Sequence, residues 1–213
     1  MTRSSARLGL RLGLCLTVMV VAATAWSESA PATAQNLARN PSFELDENKD
    51  GAPDDWEPFD LCTPYRTTRC SHDAQVAYAG QRSAMIMQGD LYLVITGTMG
   101  WLQRGIVHQG GGKTFRVSAY VRAGEPEKNN PYVKTFFPTR VRLYLFGEDS
   151  KRGPDYTGAA SPVFDIGPEW RRIVHTVTFA RDITKVSLIL AREAQIGGGH
   201  VWFDSVEVVE VGK

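Results

Sequence analysis

Several stretches of this chain alternate apolar and polar side chains with a period of two, and this alternation limits the fold more than any other feature. The clearest are "TFRVSAYVRAGE" and "TRVRLYLFGED", followed by "RRIVHTVTF" and "KVSLILAR". Successive side chains of a β-strand point to opposite faces of a sheet, so the pattern is typical of half-buried strands. Almost no stretch shows the helical period. The sequence therefore predicts an all-β protein.

The alternation also predicts which side chains face the core. In the first stretch the inward residues are Phe115, Val117, Ala119 and Val121, and the outward residues are Arg116, Ser118, Tyr120 and Arg122. In the second, Val141, Leu143 and Leu145 are inward, and Arg140, Arg142, Tyr144 and Phe146 are outward. Strands are predicted over residues 83–88, 91–96, 100–107, 114–123, 139–147, 171–180, 184–192 and 200–211. Many short strands between glycine and proline turns, without an internal repeat, favour an antiparallel β-sandwich over a propeller or a helical repeat.

The first residues have the layout of a secretory signal peptide. Arg3, Arg7 and Arg11 accompany the apolar run "LGLCLTVMVVAATA", and the small residues Ala-Thr-Ala follow at 32–34. The apolar run is too short for a comfortable membrane span, and no second run follows it. The sequence therefore predicts a signal peptide over residues 1–34, a single domain over residues 35–213, no membrane span, and a secreted or periplasmic product.

The charge of the chain gives no sign of a nucleic-acid partner. Lys and Arg number 24 against 23 Asp and Glu, which is a formal net charge of +1 for the whole chain. Nucleic-acid-binding domains carry a basic patch or stripe, and none is visible here. We therefore expect no nucleic-acid binding.

Two cysteines lie beyond the predicted signal peptide, Cys62 and Cys70, in "LCTPYRTTRCSHD". Secreted proteins meet oxidising surroundings, and a pair separated by a few turn-forming residues can close a small surface loop. This favours a disulfide between them over two thiols. A zinc site that includes His72 is the alternative, although a pair of C-x-x-C motifs is absent.

The segment "DENKDGAPDDWE" combines acidic residues, an asparagine and a glycine at the spacing of a calcium-binding EF-hand loop. The candidate ligands are Asp46, Asn48, Asp50, Asp54 and Glu57, with Gly51 at the sharp turn. Pro53 departs from the EF-hand pattern and no amphipathic helix flanks the segment, so we expect a loop like those of dockerins and thrombospondin type 3 modules. We expect Trp56 to anchor its end in the core. The alternative is a hydrophilic turn.

Several short motifs occur in an order that is familiar from one group of protein modules. They are "NLARNPSFELDENKDGAPDDWEPF" at the start, "VSAYVRAGE" and "VRLYL" in the middle, "EWRRIVHTVTF" later and "VWFDSVEVVE" at the end. With them, residues 35–213 resemble the carbohydrate-binding modules of the family 4, 9 and 22 type over nearly their whole length. The resemblance implies a β-sandwich jelly roll of the galactose-binding-like class. Such modules are usually appended to secreted glycan-degrading enzymes, and many carry a structural calcium ion.

The resemblance also implies that Glu44 and Asp204 bind metal. In the family pattern these two residues meet where the first and last strands lie side by side. Two carboxylates brought together there would repel each other unless a cation lay between them. Ser205 stands where many relatives carry a second aspartate. Because Glu44 is only two residues before Asp46, the two candidate calcium sites are either one shared site or two.

The outward strand faces carry the groups that sugar binding requires, which are flat aromatic rings and planar hydrogen-bonding groups. The candidates are Tyr120, Arg122, Arg142 and Tyr144, which would form one patch if their two strands pair. Trp101 and Gln103 lie in the segment where the resembling modules often place a further contact residue. The alternative for these side chains is ordinary cross-strand packing of tyrosine against arginine on a solvated face.

The sequence lacks the signatures of catalysis. A glycoside hydrolase needs two carboxylates that face each other across a cleft, whereas the acidic residues here crowd into the first loop. No G-x-S-x-G, H-E-x-x-H or phosphate-binding glycine loop occurs. We therefore expect a noncatalytic module that binds a polysaccharide or oligosaccharide, with a separate secreted glycan-active enzyme as a further partner. The alternative is a calcium-stabilised structural or adhesion domain that binds protein or cell-surface material.

Overall fold

The structure is a computed structural model, and it describes residues 34–60, 70–87, 99–125, 139–149, 153–155, 160–180, 182–193 and 199–212. Its strands are β1 (Glu57–Asp60), β2 (Cys70–Asp73), β3 (Ser83–Ile86), β4 (Met99–His108), β5 (Thr114–Ala123), β6 (Thr139–Asp149), β7 (Gly153–Asp155), β8 (Phe164–Ile166), β9 (Arg171–Thr178), β10 (Ile183–Arg192) and β11 (Val201–Val211). The described residues contain no helix long and apolar enough to cross a membrane.

The strands form two antiparallel sheets. One has the order β1-β4-β10-β6-β7, with β8 also paired to β6, and we call it the β10 sheet after its central strand. The other has the order β2-β3-β11-β5-β9, and we call it the β11 sheet. The inward side chains of both sheets belong to one hydrophobic core. This is the predicted all-β fold, an antiparallel β-sandwich jelly roll.

The core contains the residues that the alternation places inward. Phe115, Val117, Ala119 and Val121 of β5 and Val141, Leu143 and Leu145 of β6 are fully buried. Burying one such aliphatic or aromatic side chain stabilises the fold by about 1.5–3 kcal/mol. The inward faces of β5 and β6 are therefore confirmed, and they account for much of the cohesion between the sheets.

Phe146 is an exception to the predicted alternation, because it is buried on the outer face of the β10 sheet. It is 1% exposed and packs with Leu102, Ile189 and Ala191 in a second, smaller apolar cluster. The prediction that Phe146 faces solvent was wrong. Alternation indicates the face of the sheet on which a side chain lies, but an outward side chain is exposed only where nothing else packs on that face.

Most predicted strands are present, and the misses have a common cause. The bounds of β5 match the prediction, and β3, β4, β6, β9, β10 and β11 differ from it by a few residues at most. The predicted strand 91–96 lies outside the described residues. The alternation did not predict β1, β2, β7 and β8, because segments of three or four residues are too short to show a period.

The strands β5 and β6 follow each other in the chain but lie in different sheets. β5 pairs with β9 and β11, whereas β6 pairs with β10, β7 and β8. Because β5 and β6 do not pair with each other, the single patch predicted from Tyr120, Arg122, Arg142 and Tyr144 does not form. Because the two strands lie in different sheets, their outward residues lie on opposite outer faces.

The N-terminal segment runs beside the last strand without forming a regular strand itself. The amide of Leu37 donates to Val208 O at 2.8 Å, and the amide of Val206 donates to Pro41 O at 2.8 Å. Asn36 adds a side-chain bond from Nδ2 to Val206 O at 2.8 Å. The expected side-by-side course of the first and last segments is confirmed, and it brings Glu44 and the acidic loop to the edge of the β11 sheet.

Candidate functional site

The outer face of the β10 sheet carries a group of Arg142, Tyr144 and Glu193, which one hydrogen bond and one ion pair hold together and which we call the Glu193 group. The Tyr144 hydroxyl donates to Glu193 Oε1 at 2.9 Å, and Arg142 Nε lies 3.1 Å from the same oxygen. Two of these residues belong to β6, and Glu193 follows directly after β10. All three are partly exposed. The carboxylate thus fixes an aromatic ring and a guanidinium group side by side at the surface.

An apolar floor adjoins this group. Leu102, Phe146, Ile189 and Ala191 form the small buried cluster of the β10 sheet, and Tyr144 packs partly against it. Ile189 lies opposite Tyr144 in the strand register, and Ala191 lies opposite Arg142. The Tyr144 ring is therefore anchored on one side by packing and at its hydroxyl by Glu193, so it does not have to be ordered when a ligand arrives.

The outer face of the β11 sheet carries a different set of rings, which we call the Tyr78 cluster: Tyr78, Tyr120, Arg122, Trp170 and Trp202. Tyr78 stacks on Tyr120 with ring centroids 3.7 Å apart and an angle of 13° between the planes. Trp170 meets Tyr78 edge-on at 5.7 Å. Tyr78 itself is 43% exposed. An aromatic ring backed by another ring is thus presented to solvent.

The guanidinium group of Arg122 lies among the indoles of the same cluster. Its Cζ is 5.9 Å from the ring centroid of Trp170 and 5.6 Å from that of Trp202. Arg122 and Trp202 are direct neighbours in the register of β5 and β11. The indole Nε1 of Trp202 donates to Asp73 Oδ2 at 2.6 Å. The contacts of Arg122 with the two indoles are cation–π contacts, and they hold the guanidinium group against the aromatic rings.

Trp101 and Gln103 are inside the sandwich rather than on its surface. Both side chains are 0% exposed. The Trp101 indole donates to Met85 O at 3.2 Å, and the Gln103 amide exchanges hydrogen bonds of 2.9 and 2.8 Å with the backbone of Arg39. Their predicted role as sugar contacts does not fit this placement. Gln103 instead ties the N-terminal segment to β4.

In the acidic loop, the side chains of the predicted calcium ligands have separate partners. Asn48 Nδ2 donates to Asp50 Oδ2 at 3.1 Å, and Asp50 Oδ1 accepts from the amide of Ala52 at 2.9 Å. Asp54 Oδ2 accepts from the amide of Glu47 at 2.9 Å, and Glu57 pairs with Arg104. Among the residues that the structure describes, no three acidic, His or Cys side chains are gathered at one point.

Asp46 differs from the other loop carboxylates. Its Oδ1 is buried and has no hydrogen-bond partner, and its Oδ2 lies 3.9 Å from His72 Nδ1. A buried carboxylate oxygen without a partner is costly, and a cation is one group that would satisfy it. Asp46 therefore fits a metal ligand. Trp56 is buried and packs 5.0 Å from Phe43, so the predicted anchor at the end of the loop is confirmed.

Glu44 and Asp204 both bind backbone amides of the turn at residues 78–82. Asp204 Oδ2 accepts from the amides of Tyr78 and Ala79 at 2.7 and 3.0 Å. Glu44 Oε1 accepts from the amides of Gln81 and Arg82 at 2.9 and 3.1 Å. Burial raises the pKa of Asp204, while the amide bonds act in the opposite direction. The two predicted ligands therefore share a turn, and its N–H groups stabilise their charge.

The predicted disulfide cannot be followed to both of its ends. Cys62 lies outside the described residues, and Cys70 begins β2 opposite Ile86. The alternative of a zinc ligand at His72 does not fit. Its ring is buried, with Nε2 against Phe43 O and Nδ1 3.1 Å from Arg82 Nη1. Both ring nitrogens are occupied by protein groups.

Four of the residues that define these faces were not among the predicted site residues: Tyr78, Trp170, Glu193 and Trp202. Glu193 continues the alternation of Ile189 and Ala191 beyond the end of β10, so its outward position was readable from the period. Tyr78 lies in a turn whose conformation depends on Glu44 and Asp204. No local pattern could have placed its ring on Tyr120.

The chain has structural relatives but no match by sequence. No protein-family model and no curated protein matches it. The CBM22-1 xylan-binding domain from Paenibacillus barcinonensis Xyn10C aligns with a TM-score of 0.58 and 14% identity, over 86% of this chain and 99% of its own. A xylan-binding domain from CBM 22 aligns with a TM-score of 0.55 and 13% identity, over 86% and 99% of the two chains.

A phage protein shares the fold as well. The enzymatically active domain of tailspike protein 4 from Bacteriophage CBA120 aligns with a TM-score of 0.57 and 8% identity, over 83% of this chain and 21% of that one. At such identities the likeness concerns the fold, and one fold can host different functions. The described domain has the β-sandwich fold of the carbohydrate-binding modules of the family 4, 9 and 22 type.

Proposed function

We propose that this protein is a secreted, noncatalytic carbohydrate-binding module that binds a polysaccharide or oligosaccharide on the outer face of the β10 sheet. The observation that carries the proposal is the Glu193 group, in which one carboxylate oxygen holds both Arg142 and Tyr144. A sugar offers hydroxyl groups at its edge and C–H groups on its face. An arginine, a carboxylate and a tyrosine ring can meet both kinds of group.

The structural relatives support xylan as the first ligand to test. Two of them are named as xylan-binding domains. A third comprises the CBM22-1 and GH10 modules of Clostridium thermocellum Xyn10B in complex with xylohexaose, and it aligns with a TM-score of 0.56 at 12% identity. In that protein the binding module and the GH10 module belong to one chain, so a separate glycan-active enzyme as a partner of this chain stays a prediction.

The same group supports the noncatalytic role. Hydrolysis of a glycoside requires an acid and a second carboxylate several ångströms apart across the bond to be cleaved. The Glu193 group contains a single carboxylate, and the side chains of Arg142 and Tyr144 both contact it. It is suited to hold a sugar by hydrogen bonds rather than to attack one.

A structural calcium ion in the 44–57 loop is part of the proposal. The unpartnered buried oxygen of Asp46 supports it, together with the spacing of Asn48, Asp50 and Asp54 behind it. When bound, the ion would supply positive charge that holds these carboxylates and fixes the loop. We expect a structural role, because Glu44 and Asp46 lie beside the turn at residues 78–82 and His72 of β2, whereas the Glu193 group lies on β6 and after β10.

The test is xylan binding by residues 35–213 and by single variants, measured by isothermal titration calorimetry. Tyr144→Ala should weaken binding about tenfold, since an aromatic contact contributes on the order of 1 kcal/mol or more. Glu193→Gln should weaken it by releasing Arg142. Lys113→Gln, at an exposed ion pair with Glu210, is the control and should bind like the parent. Folded Tyr144 and Glu193 variants with parental affinity would contradict the proposed site.

A further inference from the structure

Arg122 differs from its neighbours on the outer face of the β11 sheet in having no acidic partner. Arg116 and Arg172 both pair with Glu207, at 3.7 and 2.8 Å. In the described part of the chain, no carboxylate lies within ion-pair distance of Arg122, and its buried Nε has no hydrogen-bond partner. A guanidinium group carries five N–H donors in a planar fork that matches a carboxylate. The ring contacts leave the buried Nε donor unused.

The rings around Arg122 form a rigid surface. Tyr120 covers one face of Tyr78 at 3.7 Å, and Tyr78 is 43% exposed. The backbone of Tyr78 is fixed because its amide donates to the buried Asp204. Tyrosine presents a large contact area with few rotatable bonds, so ordering it costs little. The exposed ring is thus a preformed platform for the C–H face of a sugar.

Charge favours an acidic ligand over a neutral one. Arg172 lies opposite Tyr120 in the register of β5 and β9, and it shares Glu207 with Arg116. In the described part of the chain, the three arginines of this face thus have one carboxylate partner between them. The carboxylate of Asp73 accepts hydrogen bonds from the Trp202 indole and the Gln75 amide, and it does not form an ion pair with Arg122. A neutral sugar could stack on Tyr78 but would leave Arg122 without a counter-charge, whereas the carboxylate of a uronic acid would supply one.

We propose that the Tyr78 cluster is a second binding site, specific for a uronic acid residue of a polysaccharide, with Arg122 receiving the carboxylate and Tyr78 stacking on the sugar ring. The site shares no residue with the Glu193 group and lies on the opposite sheet. Binding at this site can therefore be tested independently of xylan binding on the β10 sheet. A chain with both sites would bind a polysaccharide that carries neutral and acidic sugars through two faces at once.

The test is affinity electrophoresis of residues 35–213 in two uronic acid polymers, polygalacturonic acid and alginate, each beside its carboxyl-reduced form. No calcium is added, because calcium gels both polymers. The parent should be retarded by at least one acidic polymer and at least about tenfold less by its reduced form, as expected for loss of a charge-assisted pair. Equal retardation by both forms, or none by either acidic polymer, would overturn the proposal.

Variants separate this site from general charge attraction. Arg122→Gln and Tyr78→Ala should each weaken binding of the acidic polymer about tenfold or more. Arg116→Gln removes the same charge from the same face and should have little effect, and Tyr144→Ala should have none. If Arg122→Gln does not fold, Arg122→Lys keeps the charge without the fork and should still bind more weakly. A loss with Arg116→Gln as large as that with the Arg122 variant would overturn the site.

Discussion

At the scale of single residues, two carboxylates hold the turn that carries the exposed ring of Tyr78. Glu44 and Asp204 together accept four backbone N–H groups from residues 78–82. Gly80 lies within this turn with a φ of 71°, and a Cβ atom there would lie 2.2 Å from Glu44 Oε1. Only glycine fits both the left-handed backbone and the close carboxylate. The turn therefore depends on one residue without a side chain.

Replacement of Gly80 by alanine tests this dependence. Gly80→Ala should lower the free energy of unfolding by at least about 1 kcal/mol, because an L-residue is strained at this φ and its Cβ displaces Glu44. Gly167 is the matched control, since a Cβ there meets nothing within 4 Å. Gly167→Ala should change stability by less than about 0.5 kcal/mol. Denaturant melts of the two variants make the comparison, and equal effects would contradict the account of the turn.

The period of two correctly predicted which side chains are buried where one face of a strand packs on the core and the other faces solvent. It placed Val117 and Leu143 inward, and both are fully buried. It failed for Phe146, which is packed among other side chains on the outer face of the β10 sheet. The family resemblance failed for Trp101, whose ring lies in the core rather than at the surface. A strand pattern contains no information about packing among the side chains of neighbouring strands on the outer face. Burial on that side depends on residues distant in the chain.

At the scale of elements, strand existence was predictable and strand pairing was not. The long strands β5, β6, β9 and β10 each carry enough residues to show the period. Their partners are set by how the whole chain folds, and β5 finds β11 rather than β6. This one fact divides the predicted sugar-binding patch into two faces. The period thus indicates which residues face outward, whereas the strand pairing decides which of them share a face.

The acidic loop should bind calcium and be stabilised by it. A ligand that binds only the folded state stabilises by about 2.7 kcal/mol at a concentration of 100 times its Kd, so the melting midpoint should rise with calcium and fall with a chelator. Asp46→Asn should reduce this response. Asp55→Asn, at an exposed ion pair with Arg39, should not. Metal-stripped protein that melts at the same midpoint with and without calcium would exclude the site.

Cys62 should form a disulfide with Cys70, the first residue of β2. If so, alkylation of denatured residues 35–213 without prior reduction labels neither cysteine. Alkylation after reduction labels both, and mass spectrometry detects the label. The closed loop is short, so reduction should lower global stability only modestly. Quantitative labelling of both residues without reductant would show that the prediction is wrong.

At the scale of the whole molecule, one core supports two outer faces with different chemistry. The Glu193 group on the β10 sheet is a compact set of polar groups beside an apolar floor. The Tyr78 cluster on the β11 sheet is a set of rings around a cation. Neither face contributes to the main core, so variation in the outward residues can change the ligand while the sandwich is kept.

The most direct test of a carbohydrate-binding function is a glycan array with residues 35–213, run with and without calcium. The account predicts retention on xylan or another polysaccharide, weaker retention after chelation if the loop loosens, and no shortening of the bound glycan. Folded protein that is retained by no glycan under either condition would contradict the central claim. That result would favour the alternative of a structural or adhesion domain that binds protein.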